Sequence, residues 1–322
     1  MRRARAGRAA LGPSLLALLL CVFAAIAGCG GSAERPGTDQ SSAELFGYDQ
    51  GAPLDARFAA QPPYAGDRVE LGSYAGDRDR VPAFLAFPPG ERAGPCVIYL
   101  HGLTRSKEDA ANLVGPLAGE GIGLLAIDEP YQGARSQGLA ALERVFQQPP
   151  AVAMMLHQTV IDVRRGLDLL SSRPECDPNR LGLIGFSFGA LTGAMAAGSD
   201  TRVRSAVLLS GGGGWATILS RARAVDFPAG GAPYDRSELS ALDPYAPDDW
   251  VGRIAPRPVL IANGLHDEVF SRPAQAAFRR GAGPGSVLVW WNGGHNPFAG
   301  AEGPAVLQRI LGFLRTTLVG GG

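Results

Sequence analysis

Lysine is almost absent from this chain. Lys107 is the single lysine among 30 cationic side chains, and 30 acidic residues cancel them, giving a formal net charge of zero. Without a cationic excess there is nothing to displace the counterions of a phosphate backbone, so a nucleic-acid binder of the usual basic kind is excluded. Cysteine is scarce too: four in 322 residues, far from the density of a small disulfide-stapled scaffold. Cys96 and Cys176 stand far apart with no neighbouring Cys or paired His, which argues against a zinc site, and no metal is expected. Only four histidines are present, so chemistry needing an imidazole has few candidates. Gly (45) and Pro (25) make up about 22% of the chain, below the range of low-complexity disorder, and 46% of the residues are hydrophobic. A core is available, and the length suits one large α/β domain with appendages.

No uncharged apolar stretch is long enough to span a bilayer comfortably; the nearest, residues 11–27, is at the short limit. Arg2, Arg3, Arg5 and Arg8 precede it, and Ile26-Ala27-Gly28-Cys29 follows. A positive n-region, an apolar run and small residues before a cysteine read as an export signal over residues 1–28, and the ending resembles a bacterial lipobox that would place a lipid on Cys29. The plainer alternative is an uncleaved anchor. Removing four arginines and no acids leaves 26 cations against 30 anions, so the mature chain is mildly acidic. Residues 29–45 are polar and aperiodic, reading as a tether, and residues 46–319 as the folded domain. The expected location is the cell envelope, on the periplasmic or outer-membrane side, with the lipid as the only membrane contact. In an oxidising compartment Cys96 and Cys176 form an even pair open to a disulfide; two buried thiols are the alternative.

Within the domain, short apolar runs bounded by Gly, Pro or Asp alternate with helical stretches. Strands are expected at 69–74, 81–87, 96–100, 123–127, 181–185, 205–209, 259–262 and 286–291. Most are too continuously apolar for a one-sided sheet, the pattern of strands buried on both faces. Met155, Leu156, Val160, Val163, Leu167 and Leu170 recur at spacings of three and four, predicting a helix over 151–170 with one buried stripe. A second amphipathic helix is expected over 307–318. The alternation predicts a doubly wound, mainly parallel eight-stranded α/β sheet with helices on both faces.

Gly185-Phe186-Ser187-Phe188-Gly189 follows a predicted strand and opens a small-residue stretch. In that context G-x-S-x-G is a nucleophile elbow, a turn sharp enough that both flanking positions must be glycine, lifting Ser187 above the sheet edge. A serine hydroxyl is a weak nucleophile at neutral pH and needs a base, which in turn needs an orienting group. Of the four histidines, His101 ends a strand, His157 lies within a helix as a polar edge residue, and His266 adjoins Asp267. His295 follows the last strand in a glycine-rich loop and is the expected base. Asp267, after the preceding strand, is the expected acid, with Glu268 the runner-up. Asp128 precedes the serine and reads as a structural loop residue. Ser187, Asp267 and His295 run in the order Ser, Asp, His.

With these residues in place the chain resembles the α/β-hydrolase superfamily from about residue 69 to 318, and within it the dienelactone-hydrolase-like and acetyl-xylan-esterase-like branch. The likeness rests on Leu100-His101-Gly102, Asp128-Glu129-Pro130-Tyr131-Gln132-Gly133, Asp177-Pro178-Asn179-Arg180 and Arg257-Pro258-Val259-Leu260. Dienelactone hydrolases carry cysteine where Ser187 stands, so that activity is not implied. The resemblance implies an oxyanion hole from the backbone N–H groups of Leu103 and Phe188, with His101 and Gly102 shaping the loop and His101 not acting as base. It also implies a sheet order placing Cys96 beside Cys176, which makes a bridge between them sterically reasonable. No cofactor is implied.

Specificity in such a fold comes from insertions beyond the strand ends. Two are present: residues 131–150, and a small cap over about 211–254. The second brings Trp215, Ile218, Leu219, Phe227, Tyr234 and Trp250, which with Leu103, Phe188 and Phe298 could wall an apolar pocket or simply pack the cap. Arg105 and Lys107 are expected to be solvated. The resulting expectation is a cofactor-independent serine esterase acting on a small-molecule ester. The rivals are a peptidase of prolyl-oligopeptidase-like type and a non-catalytic envelope binding protein on the same scaffold.

Overall fold

The computed structural model describes residues 42–90, 93–224, 234 and 236–320. Cys29, the signal segment, the tether up to residue 41 and Phe227 lie outside them. The core is a nine-stranded sheet of order β1-β2-β3-β5-β4-β6-β7-β8-β9. Its strands are β1 (Arg57–Tyr64), β2 (Asp67–Ala75), β3 (Arg80–Phe87), β4 (Gly94–Leu100), β5 (Gly123–Ile127), β6 (Cys176–Phe186), β7 (Val203–Leu209), β8 (Val259–Gly264) and β9 (Val287–Trp291). The first three and β5 pair antiparallel; from β5 through β4 to β9 every pairing is parallel.

Eight strands were expected and β1 is the ninth. Its sequence, RFAAQPPY, has no apolar alternation because most of it is exposed at the sheet edge. Edge placement, with the pairing register broken between Gln61 and Tyr64, is also what tolerates Pro62 and Pro63. The interior strands show why their runs read as continuous. In β4, Cys96, Ile98 and Leu100 join the core on one face of the sheet, and Val97 and Tyr99 join the core on the other. Alternate side chains need two apolar coats, so neither set can be polar.

The helix Pro149–Ser172, longer than expected at both ends, opens on a proline and buries all six residues of the predicted stripe against the first face. Proline at the first turn has no N–H to orphan and its fixed φ already suits a helix. Helices Ala111–Ala118 and Gly303–Leu314 cover the second face. The C-terminal helix thus begins and ends earlier than predicted, with Leu318 still buried in the turn that follows. No helix among the described residues is long and apolar enough to cross a membrane.

The strand order fixes where a site can form. The chain leaves β4 toward β5 on one side, whereas β6 is followed by β7 on the other. At the carboxyl ends of β4 and β6 the connections therefore diverge and open a crevice, the usual ligand position in an open parallel sheet. Leu100 pairs with Gly185 there. At the opposite ends of the same strands Cys96 and Cys176 are joined as a disulfide, with Cα atoms 5.6 Å apart.

Candidate active site

Ser187 sits between β6 and the helix Phe188–Ser199 with φ 57° and ψ −115°. Such angles are rare for a residue with a Cβ and cost about 1–3 kcal/mol, so surrounding contacts must hold them. The Ser187 N–H donates to the Leu209 carbonyl of β7 at 2.8 Å, and the Gly189 N–H donates to the His101 carbonyl at 3.1 Å. A Cβ on Gly189 would lie 2.3 Å from the Leu100 carbonyl oxygen, and one on Gly185 would lie 2.1 Å from that of Gly189. The glycines are there because three backbone segments cross at contact distance. Thr104, Tyr131 and Ser210, which follow β4, β5 and β7, also have positive φ. Strained residues thus ring the crevice, one from each neighbouring strand end.

His295 Nε2 lies 2.8 Å from Ser187 Oγ, and its Nδ1 lies 3.0 and 3.1 Å from the two oxygens of Asp267. Asp267 is almost fully buried at its carboxylate. Its Oδ1 also accepts the N–H groups of Val269 and Phe270 at 2.8 and 2.9 Å, which fixes the carboxylate against the imidazole. The rings of Phe186 and Phe270 lie 5.3 and 5.7 Å from that imidazole. Ser210 Oγ donates to the His295 carbonyl, a tie the sequence did not reveal. Glu268 instead accepts the His295 backbone N–H at 3.0 Å, so it shapes the loop from outside the Ser–His–Asp line. His266 is exposed and faces Asn292, and His157 lies beside the Phe46 ring away from the crevice.

The N–H groups of Phe188 and Leu103 make no hydrogen bond among the described residues. Phe188 is the first residue of its helix, where an amide has no intrahelical acceptor. Both residues line the crevice. His101 is fully buried; its Nε2 accepts the Glu129 N–H at 3.3 Å, so the proton is assigned to Nδ1, 2.9 Å from the Gly102 carbonyl. Burial lowers its pKa and keeps the ring neutral. Its work is done on the loop.

Lys107, expected to be solvated, is buried. Its Nζ is 2.9 Å from Asp128 Oδ2 and its N–H donates to Oδ1 at 2.8 Å. Burial alone would lower its pKa, but bonds to Glu108 and Asp128 outweigh that and raise it. Asp128 also accepts the Ala134 N–H, and a Cβ on Gly133 (φ 53°) would lie 2.1 Å from its Oδ1. The only lysine of the chain thus pins the loop after β4 to the loop after β5. Beside it Glu129 is wholly buried: Thr192 Oγ1 is 2.9 Å from Oε1, and Gln132 Nε2 donates to Oε2 at 3.3 Å. Arg105 stays exposed at the rim. No group of His, Cys, Asp and Glu side chains converges as a metal site among the described residues.

Above Ser187 opens a cavity of about 330 Å³. Of the expected wall residues Leu103, Phe188, Trp215, Ile218 and Leu219 line it; Tyr234, Trp250 and Phe298 do not. Trp250 packs on Phe46, and Phe298 packs against the second-face core. Tyr234 donates its hydroxyl to the Phe146 carbonyl. The wall is completed by Phe146, Phe186, Leu191, Val269 and Phe270, from four separate segments. Only Phe146 carried a hint in the sequence, through its place in the insertion 131–150.

No protein-family model matches the chain. It is 28% identical over 213 residues to YtaP of Bacillus subtilis (strain 168), whose name assigns it to the hydrolases; the match spans 59% of this chain and 67% of that one. It is 25% identical over 203 residues to Esterase YjfP of Escherichia coli (strain K12), covering 62% and 79%. Among solved structures, an acetyl xylan esterase from Paenibacillus sp. R4 superposes with a TM-score of 0.68 at 21% identity, covering 83% of this chain and 90% of that one. A puromycin-hydrolysing peptidase from Mycobacterium tuberculosis superposes with a TM-score of 0.60 at 19% identity, covering 80% of this chain and 40% of that one. The α/β-hydrolase fold is therefore shared with esterases and with peptidases alike.

Proposed function

We propose that this protein is a serine hydrolase of carboxylic esters, with Ser187 as nucleophile, His295 as general base and Asp267 as its orienting acid. The observation that carries this reading is the unbroken Ser187–His295–Asp267 hydrogen-bond line at the floor of an apolar cavity. His295 takes the Ser187 proton as Oγ attacks the ester carbonyl, and Asp267 stabilises the imidazolium. The amides of Phe188 and Leu103 hold the developing oxyanion, each such donor being worth about 3–4 kcal/mol of barrier. His295 then protonates the leaving alcohol, and water releases the acyl group by the reverse path.

The leaving oxygen must face His295 Nε2, and the reading assigns the acyl group to the apolar lining of Phe146, Phe188, Leu191, Ile218 and Leu219. Those residues are apolar, whereas Glu268, Asn296 and Arg105 in the same lining are polar and exposed. The reading is thus an apolar acyl group larger than acetyl on a more polar alcohol. With p-nitrophenyl esters, kcat/KM should rise about fourfold per added methylene from acetate to hexanoate, since each buried CH₂ contributes about 0.8 kcal/mol. A steep fall from acetate to butyrate would refute the acyl assignment alone. Ser187→Ala should abolish hydrolysis and fluorophosphonate labelling; undiminished turnover in that variant would refute the hydrolase itself. Unlabelled Ser187 in the wild type would favour a binding protein. Peptide amides form the control arm, and faster amide than ester cleavage would favour the peptidase.

Export and lipidation at Cys29 belong to the same proposal. The Cys96–Cys176 disulfide supports it, because such bonds persist in oxidising compartments. Palmitate incorporation that survives Cys29→Ala would overturn it.

A further inference from the structure

Beneath the site three buried polar side chains form a chain. Thr192, on the helix that begins at Phe188, contacts Glu129, after β5; Glu129 contacts Gln132; and Gln132 Oε1 accepts the Thr104 N–H, in the loop after β4, at 2.8 Å. One end therefore adjoins Phe188 and the other Leu103, the two residues assigned to the oxyanion.

Proton sharing and burial together bear on the state of the middle member. Thr192 Oγ1 lies 2.9 Å from Glu129 Oε1 and 3.2 Å from the Phe188 carbonyl, but it has one proton to give. A carbonyl only accepts, so if Thr192 donates to Phe188, the Glu129 contact is a hydrogen bond only when Glu129 Oε1 carries the proton. Gln132 is oriented independently by the Thr104 N–H, which leaves its amide to donate to Oε2. A neutral carboxylic acid satisfies all four bonds; a carboxylate would take the Thr192 proton and leave the Phe188 carbonyl to the Thr192 N–H of its own helix, so what weighs against the anion is full burial without a cation of its own. The charged groups around Glu129 do not call for an anion there. Lys107 is paired with Asp128 and Glu108, Arg135 with Asp162 and Asp79, and His101 is neutral. Asp128 itself repels a second negative charge.

We infer that Glu129 is a proton-bearing positioning residue, which as a neutral acid ties the helix of Ser187 and Phe188 to the loop of Leu103 and keeps the two oxyanion amides in register. The inference rests on the hydrolase reading above. Burial pushes the Glu129 pKa up to about 8, which places the loss of its proton within reach of an activity profile.

The test compares Glu129→Gln, which supplies one donor and one acceptor in the same places and cannot ionise, with Glu129→Leu. At pH 7 Glu129→Gln should keep kcat within about fivefold of wild type. Glu129→Leu should lose roughly 30- to 100-fold in kcat with KM within threefold. The wild-type kcat should also fall above about pH 8 while Glu129→Gln stays level. An identical alkaline limb in both, or Glu129→Gln as slow as Glu129→Leu, would overturn the inference. Should Glu129→Leu fail to fold, the pH profiles of wild type and Glu129→Gln decide alone. Wild-type Ser187 that resists fluorophosphonate would sink the hydrolase reading and this one together; a failed profile with labelling intact sinks only this one.

Discussion

Strands β4 and β6 lie side by side along their length, yet their two ends are built on opposite principles. At the amino end Cys96 and Cys176 are buried and covalently joined across the pair. At the carboxyl end the backbone has positive φ at Ser187 and Thr104, and Leu103 and Phe188 line a cavity. The staple limits the unfolded chain, whereas those backbone conformations work against the folded one. The sheet separates these demands by the length of a strand. Groups at the working end can then be held in poor local conformations because many surrounding contacts, the staple among them, support the frame.

Breaking the working end should cost activity and little stability. Asp267→Asn should lower kcat by about 10⁴-fold, because an amide cannot stabilise the imidazolium and favours the wrong tautomer. Glu268→Gln, which alters a carboxylate that accepts the His295 backbone N–H, should lower it less than tenfold. Equal losses in the two variants would mean that the acid has been misassigned. Breaking the other end should do the reverse. Cys96→Ser removes a crosslink between residues 80 apart, and denaturant melts should register a loss of about 2–4 kcal/mol with kcat nearly unchanged at low temperature. A comparable fall in kcat would show that the two ends are coupled.

Glu129 spans the distinction. Its folded pKa is raised to about 8 by burial, so the folded protein retains a proton that the unfolded chain has released. The wild type should therefore lose stability relative to Glu129→Gln as pH rises from about 5 to 8, by about 1.4 kcal/mol per unit, and level off above it. Parallel melting curves across that range would show that Glu129 is charged in the folded state.

The grouping of Ser187, Asp267 and His295 was legible in the sequence because each carries a local signal. Gly185 and Gly189 flank Ser187 in a recognisable G-x-S-x-G, and each partner follows its own apolar run. The long helix was legible through the period of its buried stripe. β1 was not, since an exposed edge strand needs no apolar pattern. Nor was the state of Lys107, because the group that buries it, Asp128, stands 21 residues away.

The sequence by itself determined the alternation of strands and helices, the turn that carries Ser187, and the order in which Asp267 and His295 follow it. These follow from periodicity and from sterics between neighbours in the chain. Only the tertiary structure decided which aromatics face the cavity, where the single lysine spends its charge, and that Glu129 is buried beside Thr192, 63 residues on. Burial and proton sharing depend on what the fold brings within about 3 Å, and no residue's own neighbours in the chain specify that.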